Sequence, residues 1–302
     1  AANIQGQLDY TREHEREADR VGLTILNDAG FDVRAMPAFF TTLQRGTQFI
    51  DNNAPSYLRT HPLTSEPIAD VSNRVQNMPY HQVSDSLDFY LARAKVRAAQ
   101  DLPRNTAELF EQNINERRFS NEVAEHYGLA LAYLRANDIT KAQTQMQWLI
   151  KNAPAHPNLS SLNARILEAN HQTTQALDMY TQALKKYPMH RGLIYGKTDL
   201  LVNMHELDNA LKFINDSLAL FPNDANLYAS LAKVYSMQAK VLLMHQAQAE
   251  SYYRKYDLRQ AVEQMELATK AKDGNFYQQS IVEARLKQLK RLFEDEKQAR
   301  SS

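Results

Sequence analysis

Three prolines, Pro154, Pro188 and Pro222, recur at an interval of 34 residues. A chain spaced in this way folds as copies of one small unit, because each copy meets the same local demands. Other positions recur with the prolines. Ala142, Ala176 and Ala210 each lie 12 residues before one of them. Met146, Tyr180 and Ile214 follow the alanines by 4 residues, and Leu149, Ala183 and Ser217 by a further 3. Leu129, Ala130 and Tyr133 precede the first alanine. Small side chains let two helices cross closely, and larger ones fill the space between units. Proline ends a helix because it lacks the N–H and its ring clashes with the preceding turn.

Composition fits helices throughout. Only 8 glycines occur in 302 residues, strand-like alternation is rare, and apolar residues recur at helical spacing. The expected fold class is therefore all-α. Lys plus Arg number 35, as do Asp plus Glu. Such a balance argues against nucleic acid or an anionic membrane surface as partner. No apolar run approaches the length of a membrane-spanning helix. Cysteine is absent, which excludes thiolate metal sites, disulfides and cysteine nucleophiles and is compatible with an oxidising compartment. The opening "AANIQGQLDY" has no signal-peptide pattern and no initiator Met, and it enters a helical pattern at once, as expected of a mature fragment.

The repeating part resembles the tetratricopeptide repeat, a pair of antiparallel helices about 34 residues long. A fourth unit opens at Ala225, with Leu231, Ala232 and Tyr235 in place. The next matching set, Ala261, Met265 and Ala268, arrives 17 residues late. The intervening "VLLMHQAQAESYYRKYD" has neither Gly nor Pro, so longer helices are expected there. Residues 276–299 predict a capping helix with an apolar stripe of Ile281, Ala284, Leu286, Leu289 and Leu292. Residues 86–122 predict a degenerate helix pair. The resemblance implies a groove lined by the first helix of each pair. Its expected partner-binding residues are Tyr127, Arg135, Arg165, Tyr195, Asn203, Asn226 and Lys233; on residue type alone each is equally a solvated surface residue.

The first 85 residues read differently. "YTREHEREADRVG" places Glu15 and Asp19 one helical turn apart, beside the small Ala18 and Gly22. The helix is expected from near Gln7 to Asn27, stopped by Gly30. Asp32 opens a second helix to about Gln44. A loop with His61 then leads to a third from about Pro67. Taken by themselves, Glu15 and Asp19 read as a solvated acidic face paired with Arg12, Arg16 and Arg20.

The order "E-x-x-A-D", "AG-x-D", "THP" resembles the M48 family of zinc metallopeptidases, most of all its periplasmic members with a tetratricopeptide domain. The resemblance covers essentially the whole chain. It implies a C-terminal part of a peptidase domain over residues 1–85 and a repeat domain with a terminal capping helix over 86–302. The implied cofactor is Zn2+, with Glu15 as a metal ligand and Asp19 as a catalytic carboxylate that orients a ligand or the tetrahedral intermediate. His61, a lone His before proline, is the candidate for a closed-state ligand that fills the open zinc position; as a loop residue it would simply bond to backbone. Where the family often has Arg before Ile after this motif, Pro67 stands here, so an ion pair from that arginine is not expected. No H-E-x-x-H occurs: "HEREA" has one His, and "MHELD" has Asp208 where a second is needed. The implied partner is an upstream peptidase segment carrying H-E-x-x-H, without which the chain is expected to be inactive. The implied function is zinc-dependent endopeptidase and chaperone-like quality control of outer-membrane β-barrel proteins in the periplasm. The repeats would recruit those substrates or their assembly machinery. A non-catalytic repeat adaptor is the alternative.

Overall fold

The structure, a computed structural model, describes residues 2–48, 65–76, 78–81 and 83–301. Among these residues there are fifteen helices and no strand. They belong to two compact units, Ala1–Ser86 and Leu87–Ser302.

The first unit holds α1 (Ala2–Asp28), α2 (Ala35–Gln48) and α3 (Ser65–Val75). The α1 helix ends where Gly30 turns left-handed at φ 76°. There the Gly30 N–H donates to the Asn27 carbonyl at 2.9 Å, and the Phe31 N–H to that of Leu26 at 3.0 Å. These bonds occupy carbonyls the helix end would leave free. Asp32 Oδ1 accepts from the Arg34 N–H at 3.0 Å and turns the chain toward α2. Leu23, Val33, Val71 and Val75 form the core, with Leu26, Met36 and Phe40 against it.

The second unit is a stack of antiparallel helices. It runs α4 (Leu87–Ala99), α5 (Pro103–Asn115), α6 (Glu122–Arg135), α7 (Ile139–Asn152), α8 (Pro157–Ala169), α9 (Thr173–Lys186), α10 (Arg191–Asn203) and α11 (Leu207–Leu220). It continues through α12 (Ala225–Met237), α13 (Val241–Arg254), α14 (Leu258–Lys270) and α15 (Phe276–Ser301). The period seen in the sequence is also a backbone period. Asn137, His171, His205 and Ala239, each 34 residues from the next, all adopt positive φ of 57–59° at the turn between paired helices. The helix starts recur too. His156 Nδ1 accepts from the Asn158 N–H and His190 Nδ1 from the Leu193 N–H, each at 3.2 Å. At the next equivalent place Asp224 Oδ1 accepts from Asn226 and Leu227. Thus two histidines that resemble scattered surface residues in the sequence cap helices.

The repeated alanines lie where expected. Ala130, Ala142, Ala164, Ala176 and Ala210 are all fully buried. Gly196 plays the same part for an aromatic ring: a Cβ there would lie 2.5 Å from Cε1 and Cζ of Tyr180. The first helices of successive pairs pack on one another, α6 on α8, α8 on α10 and α10 on α12. They form the inner layer, with α7, α9 and α11 outside it.

Two expectations need correction. The late stretch does not lengthen the flanking helices. Residues 241–254 form a separate helix, α13, of ordinary length, packed against both α12 and α14. The delay of 17 residues is one helix and its turn. Ala239 at φ 57° and Tyr256 at φ 61° reverse the chain on either side without Gly or Pro. The capping helix is also rotated from the expected stripe. Val282 and Leu289 are buried and Leu286 packs beside them, whereas Ile281 is 40% exposed and Ala284 is exposed. Arg285 sets this rotation by gripping Glu250 of α13, Nε to Oε1 at 2.7 Å and Nη2 to Oε2 at 3.0 Å.

Candidate functional site

The carboxylates of interest project from the middle of α1. Glu15 is exposed and Asp19, one turn on, is partly buried. Burial raises the Asp19 carboxyl above its usual range, the negative charges of Glu15 and Asp70 raise it further, and Arg74 opposes them. Asp70 and Arg74 belong to α3 and bind each other at 2.8 Å. Arg20 does not complete an arginine lining for Asp19; its guanidinium takes Glu17, Nε to Oε2 at 2.8 Å. Asp19 is thus a carboxylate whose charge its acidic neighbours oppose, a situation a cation relieves. The donor chemistry fits a hard or borderline ion such as zinc. Among the described residues, however, no group of three or more His, Cys, Asp or Glu is placed to hold one. Glu15 and Asp19 stand one turn apart on α1 without a third such residue placed, among the described residues, to hold an ion with them. His61 lies outside the described residues.

The expected groove residues separate into three kinds. Tyr127 is 4% exposed and belongs to the core of the stack, so it has almost no surface to offer; burial pushes its phenol up to about 12, with Arg165 opposing. Its helix face is the one that contacts neighbours, which residue type alone does not reveal. Arg135 and Tyr195 have structural partners. Arg135 donates to the carbonyls of Ala98 and Asp101, tying α4 to α6. Tyr195 donates its hydroxyl to Asp224 Oδ2 at 2.5 Å, bracing the cap of α12. Arg165, Asn203, Asn226 and Lys233 are exposed.

One groove residue escapes sequence inspection. Arg165, Asp199 and Lys233 stand at intervals of 34 and alternate in sign along α8, α10 and α12. Loss of solvent raises the Asp199 carboxyl and Lys233 opposes the shift. The same repeat frame that locates the alanines would have found it.

Residues 1–75 match the family model described as Peptidase family M48, and residues 167–234 match that described as Tetratricopeptide repeat. The chain therefore places a segment similar to M48 peptidases ahead of a helix stack, part of which matches the tetratricopeptide repeat. Among curated proteins it is similar to the beta-barrel assembly-enhancing protease of Escherichia coli K12, with 28% identity over 307 residues, covering 97% of this chain and 60% of that protein. The protein of the same name from Yersinia pestis is 26% identical over 292 residues, 96% of this chain and 60% of the relative. The chain spans about 60% of the length of these relatives. No helix among the described residues is long and apolar enough to cross a membrane.

Proposed function

We propose that this chain is the substrate-holding portion and part of the metal site of a periplasmic zinc endopeptidase that acts on outer-membrane β-barrel proteins or their assembly machinery. The observation that carries the reading is the Glu15–Asp19 pair inside the stretch that matches the M48 peptidases, followed by the repeat stack. Glu15 would hold zinc together with histidines of an H-E-x-x-H segment, a motif these 302 residues do not contain. Bound zinc supplies a Lewis acid that brings the pKa of a coordinated water to about 7. Asp19 would orient a neighbouring ligand by hydrogen bonding. Arg165, Asp199 and Lys233 would offer alternating charge to an extended substrate segment along the inner layer. His61 would occupy the open zinc position in a closed state.

The test uses the intact protein that includes the H-E-x-x-H segment, with zinc measured per polypeptide and chelator-sensitive casein cleavage measured alongside. Glu15→Gln is expected to lose both. Asp19→Asn is expected to keep most of its zinc and lose roughly 10–100-fold in cleavage, the usual scale for an orienting partner. His61→Ala is expected to retain zinc and cleave faster. Full zinc and full activity in Glu15→Gln would remove the reading and leave a non-catalytic adaptor.

A further inference from the structure

One position of the repeat frame is apolar in two units and polar in two, and a cleft lies over one of the polar residues. Leu129 and Leu231 occupy equivalent positions in the first and fourth units and are 3% and 7% exposed. In the second unit that position is Asn163, and in the third it is Lys197, the one charged residue of the four. Charge at an apolar core position is unfavourable unless something uses it. Lys197 stands on α10 at the floor of a cleft of about 330 Å³ that opens between the outer helices α9 and α11. At about 30 Å³ per water the cleft holds on the order of ten waters, enough for one amino-acid residue and part of the next.

The apolar part of the lining is Leu177 from α9, Leu201 from α10 and Phe213 from α11. Lys197 Nζ donates to Thr181 Oγ1 at 3.0 Å and lies 4.9 Å from the centre of the Phe213 ring. Among the described residues no carboxylate comes within ion-pair distance of it. An ammonium has three donors, so two remain to be satisfied. Partial burial lowers the Lys197 pKa, which marks a charge that solvent serves poorly. Glu206 and Asp216 stand at the rim with Lys212.

We propose that this cleft binds the C-terminal end of a peptide whose last residue is apolar, with the terminal carboxylate on Lys197. A terminal residue carries its charge and its side chain on the same carbon, so the carboxylate can reach Nζ while the side chain lies among Leu177, Leu201 and Phe213. An internal Asp or Glu has no apolar group beside its charge. A phosphate brings about two charges to one ammonium, so Glu206 and Asp216 repel it more than they repel a singly charged carboxylate. The site is distinct from the inner layer that carries Arg165, Asp199 and Lys233, and it does not depend on the peptidase reading.

The test is fluorescence anisotropy with the 302-residue chain and a fluorescein-labelled hexapeptide ending in leucine, as the free acid and as the C-terminal amide. The acid is expected to bind saturably and the amide at least tenfold more weakly. N-acetyl-leucine is expected to compete with the acid. Lys197→Met restores an apolar residue at this position, so it should fold with an unchanged or higher Tm while losing the preference for acid over amide. Lys151→Met, at an exposed position of α7, should keep that preference. Equal binding of acid and amide, no saturable binding of the acid, or a folded Lys197→Met that retains the preference would each overturn the proposal.

Discussion

At the scale of single residues, the strongest polar contacts join parts of the chain that are far apart in sequence. Glu250, with its side chain 15% exposed, binds Arg254 on its own helix and Arg285 of α15. Arg254 stacks on Tyr228 with 3.9 Å to the ring centre and donates to the Pro222 carbonyl at 2.9 Å. Burial pushes the Glu250 carboxyl upward, but Arg285 and Arg254 together outweigh it and hold it below its usual range. A depressed folded-state pKa gives stability that is present above the ordinary Glu value and lost as pH falls through the lower one. Glu250→Gln is therefore expected to lose about 3 kcal/mol in urea unfolding at pH 7, since it leaves two guanidiniums unpaired in a mostly dry place. The difference from the parent chain should shrink toward pH 3. No sequence spacing announces this cluster. The alanines and prolines were legible because every unit imposes the same steric demand on them. Glu250 and Lys197 each answer a demand made only once.

At the scale of elements, legibility depended on whether a turn leaves a chemical mark. The turns at Asn137, His171, His205, Ala239 and Tyr256 share a backbone conformation but no residue type. A stretch without Gly or Pro thus concealed two of them and an entire helix. The orientation of α15 was hidden for another reason. Residues 281 and 284 compete with 282, 286 and 289 as the apolar face, and the choice falls to Arg285 on its ion pair. The α15 helix covers Ala261, Met265 and Ala268 of α14 in one cluster. Removing residues 276–302 uncovers that face. The truncated chain is expected to self-associate on size-exclusion chromatography and to unfold at a lower Tm than the full chain, since an unprotected repeat end presents apolar surface to water. An unchanged elution volume and Tm would show that α15 does not cap the stack.

At the scale of the molecule, the chain consists of two compact units that differ in kind. Residues 87–302 have their own continuous set of cores and are expected to fold alone, with strong helical circular dichroism and a sigmoidal urea transition. A fragment without helical signal would contradict this. The Glu15–Asp19 pair was legible because two carboxylates one helical turn apart are a local pattern, but only the resemblance to M48 peptidases gave it a metal-binding reading. The histidines that reading calls for belong to an H-E-x-x-H motif that these 302 residues do not contain. The interposed helix α13, packed against both α12 and α14, has a consequence for how such a chain assembles. Near-identical units can slide past one another by a whole repeat and still find partners. Because α13 adds half a unit, a stack displaced by one repeat would set mismatched faces together at α12 and α14. The odd helix thus acts as a register mark, making the correct alignment of the stack the one in which every helix has a partner.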